Sequence, residues 1–336
     1  MADKAIGSMY PTMYDVIKSL EPNGGVRASV VEIMTKLCPI VADAPVYEGN
    51  LPTGNRTTRR TTLPTAYTRA LNVGVLPSKS GTDQFDDPCT LIEAWLEMDT
   101  KEYDLNGGDA YLANQGAAFT ETLTQTLATQ MFYGGDSSEP DEMVGLYPRY
   151  TLGTYYASPT VNTLAFQVVG CASGSGSDLS SAWIVNWGVN TVHLCYPKGT
   201  QGGLSMRNLG RNISRDSAGR VHEVINLKWE WNVGLVLRDP RSVVRVANID
   251  EDLSESGVEI ESALVKGLAR LGPIAGNTVI YCNRVVHTLL ELQRLNKGNV
   301  QYLPQQVGGV PVLSIRGVPI KRVDQISQAE SALSFT

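Results

Sequence analysis

Three histidines, His193, His222 and His287, are the obvious candidates for proton transfer or metal binding in this sequence. Such chemistry needs a second ligating group nearby, as when two histidines four residues apart share one helix face. None of the three lies within a few residues of another. His193 sits in a strand-like stretch and His287 in a helical one, so both read as structural. The nucleophile elbow Gly-x-Ser-x-Gly does not occur. The dipeptide Gly-Lys is absent, which excludes a P-loop. "GSGSD" at 174–178 lacks the spacing of a dinucleotide loop and reads as a flexible connection. The run "DEDLSESGVEIE" puts Asp250, Asp252, Ser254 and Glu261 at the first, third, fifth and twelfth places of a calcium loop. Glu255 stands where that loop needs Gly, so a helix start favoured by Asp252, Glu255 and Glu259 is the better reading. The cysteines, Cys38, Cys89, Cys171, Cys195 and Cys282, are odd in number and none are close in sequence. Reduced thiols are expected, with neither a zinc site nor a disulfide framework. No catalytic, cofactor or metal set emerges, and an enzyme is not expected.

One basic cluster remains. Arg56, Arg59 and Arg60 lie in "GNLPTGNRTTRRTTLPTAYTRALNVG". Either they meet acidic groups on a neighbouring subunit or they decorate a solvated loop tip. A nucleic-acid contact fits less well, because no aromatics interleave with the arginines. The net charge of −6 argues against a surface built to grip nucleic acid.

The elements around these residues are legible. With 336 residues, two domains or one elaborated domain are expected, and a 42% hydrophobic content allows a large core. The first twenty residues have no basic start followed by an apolar core, so no signal peptide is expected. The uncharged stretch Tyr150 to Ser177 is too rich in Thr, Ser, Gly and Asn to span a bilayer. A soluble protein made in the cytoplasm is expected. Met13, Val16, Ile17 and Leu20 share one helical face, and Val26, Val30, Ile33, Met34 and Leu37 another that Pro39 stops. Residues 46–100 read as a long, weakly packed β-hairpin or arm that needs a partner surface. Within it, Ile92, Ala94, Leu96 and Met98 alternate onto one side. Leu112, Phe119, Leu123, Leu127 and Met131 then mark a long single-striped helix, capped by Asn106 or Asp109 and ended by Gly134-Gly135.

Residues 160–250 read mainly as strands. In "NLKWEWNVGLVLRD", extended back to Ile225, every odd position from 225 to 237 is apolar, which predicts a half-buried strand of roughly 43 Å. Ile260, Leu264 and Leu268 mark a helix, "NTVIYC" a short buried strand, and Asn283 caps a further helix. "VPVLSIRGVPIKRVDQI" reads as strand, turn, strand.

Taken together, four passages resemble the major capsid proteins of tailed bacteriophages with the Hong Kong 97-like fold, in the short-tailed group with permuted connectivity. They are "LNGGDAYLANQGAAFTETLTQTLATQMFYGG" with "GLYPRY", "WIVNWGVNTVHLCYPKGTQGGLSMRNLG", "WEWNVGLVLRDPRSVVRVANID", and "NTVIYCNRVVHTLLELQRL" with "VPVLSIRGVPI". The resemblance implies an α+β fold. It has an N-terminal arm at 1–45, an extended β-hairpin loop at 46–103, a peripheral domain at 104–250 with a spine helix at 107–133, and a mainly axial domain at 251–336. The strands at 225–249 would belong to the peripheral domain, the long one running along the peripheral sheet. Because they precede the axial strand and helix, a permuted strand order is implied.

The implied function is a self-assembling icosahedral shell around packaged double-stranded DNA, held without sequence-specific binding. The alternative is the shell of a cellular encapsulin-type nanocompartment. Implied partners are further copies as hexamers and pentamers, a separate scaffolding protein, a portal and, where present, a decoration or cement protein, with no membrane. Arg56, Arg59, Arg60, Arg69 and Lys79 would make intersubunit contacts. Nothing around Lys79 marks a reactive site, so no cross-link is expected.

Overall fold

The computed structural model describes residues 38–105, 108–135, 141–151, 166–171, 178–215, 218–250, 260–271, 277–296, 305–307 and 310–333. The two N-terminal helical faces, the Asn106 cap, and most of the 174–178 connection and of the calcium-like run lie outside them. In chain order the elements begin with α1 (Pro39–Asp43), β1 (Val46–Glu48), β2 (Gly54–Thr62), β3 (Gly81–Pro88) and β4 (Thr90–Asp99). Then come α2 (Thr100–Leu105), α3 (Asp109–Tyr133), α4 (Leu146–Arg149), β5 (Val168–Gly170), β6 (Leu179–Asn186), β7 (Val192–Tyr196) and β8 (Leu204–Arg215). The chain continues through β9 (Val221–Leu237), β10 (Val243–Asp250), α5 (Ile260–Arg270), β11 (Thr278–Cys282) and α6 (Arg284–Asn296). It ends in β12 (Gln305–Val307), β13 (Val310–Val312), β14 (Ser314–Ile315) and β15 (Val318–Arg322). The described chain forms two compact units. One holds Leu91–Thr126 and Gly203–Trp231, and the other Leu37–Thr90, Leu127–Gly202 and Asn232–Thr336.

In the first unit, β8 pairs antiparallel with the start of β9, from Leu204↔Trp231 to Arg215↔Val221. The expected alternation holds, with Ile225, Leu227 and Trp229 buried. Leu112 and Leu123 of α3 are buried, and Phe119 stacks on Trp229 with centroids 4.6 Å apart. On β4, Ile92, Leu96 and Met98 are buried as their spacing predicted. Lys228 meets Glu93 at 2.6 Å and lies over the Trp95 ring.

The second unit is built on a six-stranded sheet in the order β14-β15-β11-β6-β10-β5. Every residue of β6 is buried, as expected of a central strand covered on both faces. One face, with Ala182, Ile184, Val244 and Val246, packs on Ile260, Leu264 and Leu268 of α5 and Val286 and Leu290 of α6. Gly267 lets α5 sit this close, since a Cβ there would lie 2.8 Å from the Ile184 side chain. Asn283 caps α6 by accepting from the Val286 amide at 2.8 Å. The two strands of 225–249 do not share a sheet. The second half of β9 pairs with β7, whereas β10 pairs with β5 and β6. The turn Asp239–Ser242 redirects the chain, and Asp239 caps it by accepting from the Arg241 amide.

The other face of the six-stranded sheet carries a buried ion pair. Arg245 meets Glu330 at 2.8 Å, with side chains only 1% and 3% exposed. Arg245 also donates to Ser181 Oγ and the Tyr150 carbonyl and stacks over Tyr147. Glu330 accepts from Tyr133 and Ser181 hydroxyls. Burial and the neighbouring carboxylate push the Tyr133 hydroxyl pKa well up, so it stays a donor. The pair therefore ties the sheet, the end of α3 and the C-terminal segment to one point. Removing one partner of such a pair strands a buried charge and costs about 3–5 kcal/mol, whereas an apolar replacement of both is often neutral. Glu330→Ala is expected to lose about that much in urea unfolding, and Arg245→Met with Glu330→Leu to recover most of it. A loss under about 1 kcal/mol for Glu330→Ala would contradict the account.

His193 is buried in β7, edge-on to Tyr47. Burial first, and then Arg238, pull its pKa from 6.5 to about 4, against smaller opposing effects of the Gly188 backbone and Asp87. The unfolded chain then binds the proton more readily than the folded one. This residue's stabilisation is complete above 6.5 and is lost as pH falls toward about 4. The unfolding midpoint should drop across that window and drop less in His193→Gln. Equal pH slopes in the two proteins would show that His193 does not set the dependence.

Candidate intersubunit surface

The arginine cluster stands on an antiparallel hairpin. β2 and β3 pair from Gly54↔Pro88 to Thr62↔Gly81, with a register irregularity between Arg60 and Thr62. Their sequences, "GNRTTRRTT" and "GTDQFDDP", offer Thr for strand geometry and little apolar surface for a core. Residues 63–80 join the strands without helix or strand, and each of them is exposed. Leu63, Leu71 and Leu76 there are 78%, 93% and 75% exposed, and Tyr67, Val73 and Val75 are exposed beside them. Clustered apolar exposure of this kind marks an interaction surface.

The candidate residues divide into two groups. Arg56 forms a two-pronged ion pair with Asp86, its cross-strand partner, at 2.6 Å for each contact. The pair lifts the Arg56 pKa and holds the Asp86 carboxyl below its ordinary value. Arg59 lies over the Phe85 ring and donates to the carbonyls of Leu237 and Arg238. Both arginines thus fix the hairpin within its own chain. Arg60, Arg69 and Lys79 are exposed. A cleft of about 990 Å³ runs between the hairpin and the turn after β9, lined by Arg56, Arg59, Arg60, Arg238, Asp239 and Arg241. Arg241 closes on Asp239 at 3.0 Å, which leaves the cleft predominantly cationic.

The root of the hairpin was not legible in the sequence. Asp87, 3% exposed, pairs with the fully buried Arg149 of α4 at 2.8 Å and accepts from the Leu237 amide. Arg149 also donates to the carbonyls of Val144 and Leu235. Gly234 of β9 lies directly under Pro88 and Cys89, where a Cβ would come within 2.7 Å of the Pro88 oxygen. Asn50 braces the other strand by accepting from the Arg56 amide and donating to its carbonyl. No spacing rule points to Arg149, whose neighbours in sequence are ordinary. Among the described residues no group of acidic, histidine or cysteine side chains could hold a metal ion, and no helix is long and apolar enough to cross a membrane.

Comparison with known proteins gives this surface its context. A family profile described as "Major capsid protein GP7" matches residues 21–334. No curated protein sequence matches the chain. A chain in the near-atomic structure of bacteriophage Epsilon15 superposes with a TM-score of 0.77 at 26% identity, covering 98% of this chain and 99% of that one. The capsid of Myoviridae phage XM1 aligns at 8% identity and a TM-score of 0.43, over 67% of this chain and 96% of that one. Mycobacterium phage Bobi aligns at 12% identity and a TM-score of 0.43, over 70% and 97%. The profile spans nearly the whole sequence and the Epsilon15 chain aligns over nearly all of it: the chain belongs to the family of the major capsid protein GP7, the shell proteins of tailed bacteriophages.

Proposed function

We propose that the hairpin within 46–103 is the element by which one copy grips the next in a shell of hexamers and pentamers. The observation that carries this reading is the exposed apolar tip, 63–80, at the end of a hairpin that is fixed at its root. A second copy is the favoured occupant, because the family builds a shell from many copies of one chain. Leu63, Leu71 and Leu76 supply the burial. Arg60, Arg69 and Lys79 meet carboxylates of the neighbour, while Arg56 and Arg59 hold the hairpin's shape.

The remaining layout follows the same reading. We assign 1–45, of which 38–45 are described, to an N-terminal arm, 104–250 to the peripheral domain with the spine helix at 107–133, and 251–336 mainly to the axial domain, whose six-stranded sheet also takes in β5, β6 and β10. The strand order is permuted. A separate scaffolding protein guides assembly, a portal occupies one vertex, and double-stranded DNA fills the shell without sequence-specific contacts. The net charge of −6 suits a wall that does not hold its contents tightly. A nanocompartment shell is not favoured, since the family match is to a phage capsid protein.

The test is assembly itself, followed by electron microscopy and sedimentation. Wild-type chain expressed with its scaffolding protein should give closed shells. Leu71→Asp with Leu76→Asp removes the burial of two leucines, worth about 3–6 kcal/mol per contact. That variant should stay folded by circular dichroism and form no shells. Shells of normal diameter from it would remove the tip from the contact.

A further inference from the structure

Two cysteines 106 residues apart meet at the hairpin root. The Sγ atoms of Cys89 and Cys195 lie 3.4 Å apart. Cys89 is the first residue after β3, and its amide donates to the Thr53 carbonyl. Cys195 is buried in β7, with Gly234 as its register partner. Gly234 is also the residue over which Cys89 packs, with its missing Cβ 3.0 Å from the Cys89 sulfur. The absent side chain is therefore what lets the two sulfurs meet. We propose that Cys89 and Cys195 are a reversible oxidation site, whose disulfide fastens the root of the hairpin to β7.

The geometry assigns a role to each thiol. Cys89 is partly exposed and Cys195 is buried, so Cys89 is the thiol that a small disulfide such as glutathione disulfide would meet first. The hydrogen bond from Cys195 favours the Cys89 thiolate and lowers its pKa, and the same contact with burial keeps Cys195 protonated. The Cys89 thiolate attacks one sulfur of the external disulfide and expels one glutathione thiolate. Cys195 then gives up its proton and attacks the Cys89 sulfur of the mixed disulfide, expelling the second. Two protein thiols are oxidised, one external disulfide is reduced to two thiols, and the two protons end on the released glutathiones. Inside a reducing cytosol the pair stays open. A shell released into an oxidising medium closes it. Only that timing rests on the capsid reading, since the sulfur geometry belongs to the single chain.

The measurement is intact mass and peptide mapping of wild-type shells purified with reductant and then treated with glutathione disulfide. Free thiols are alkylated under denaturing conditions. The expected result is a chain that has lost two hydrogens, retains three alkylatable cysteines of its five, and yields one linked peptide joining Cys89 to Cys195. Oxidised shells should also unfold several degrees higher than reduced ones, as expected when a long loop is closed. Cys195→Ser should stop at the mixed disulfide on Cys89, and Cys89→Ser should retain four free thiols without adduct. Five alkylatable thiols after oxidation of wild type, a persistent glutathione adduct on Cys89, or a bridge between other cysteines would each overturn the proposal. If no shells form, the same mass test on the unassembled chain still decides it, and the failure falls on the assembly reading alone.

Discussion

The ion pair between Asp87 and Arg149 is the interaction on which the exposed hairpin depends. β2 and β3 bury almost nothing of their own, so their direction has to be set at one end. Asp87 and Arg149 are both withdrawn from water, and each also bonds backbone: Asp87 accepts from the Leu237 amide of β9, and Arg149 donates to the carbonyls of Leu235 in β9 and Val144 before α4. A buried pair of this kind adds little net stability over an apolar contact, but leaving either partner alone is costly. Its geometry is also directional, because a guanidinium and a carboxylate meet along fixed axes. The root is thus held in one arrangement, by contacts that lose their value when it tilts.

Gly234 connects this anchor to the long strand. β9 alternates cleanly while one of its faces is covered, and from Val233 to Leu237 every residue is buried. Pro88 and Cys89 lie across the strand at its one position without a side chain. The same glycine therefore admits the hairpin root, the Asp87 contact beside it and the approach of Cys89 to Cys195.

What the sequence disclosed follows from period and what it hid follows from distance. The stripe of α3, the alternation of β4 and the first half of β9, and the cap at Asn283 were all readable, because each depends on residues within a turn or a pleat of one another. β8 escaped, although it is twelve residues long. Most of its residues are exposed on both faces, so it carries no alternation to read. The pairing of β10 with β6 stayed hidden for a different reason. Alternation says that a strand is half-buried and says nothing about which sheet receives it. The arginine cluster was visible as composition, but its division was not. Arg56 finds Asp86 and Arg59 finds the carbonyls after β9 only once the hairpin has folded. Arg149, the residue that holds the root, looks ordinary in "GLYPRY".

A shell closes by symmetry, so each copy must present its contacts in nearly the same place. The nine residues of β2 span about 30 Å at about 3.3 Å per residue. A tilt of about 5° at the root would carry the far end of such a strand about 2.6 Å sideways, by that same length. Apolar side chains tolerate small slides against one another, so in the contact we propose they tie the tip to a neighbour without fixing its position. Positional accuracy has to come from the root, where hydrogen bonds and an ion pair in a dry setting penalise displacement steeply. That division of labour explains the placement of residues along the hairpin. The leucines and the outward cations are at the adaptable end. The buried aspartate, the arginine and the glycine that admits them are at the end that must not move.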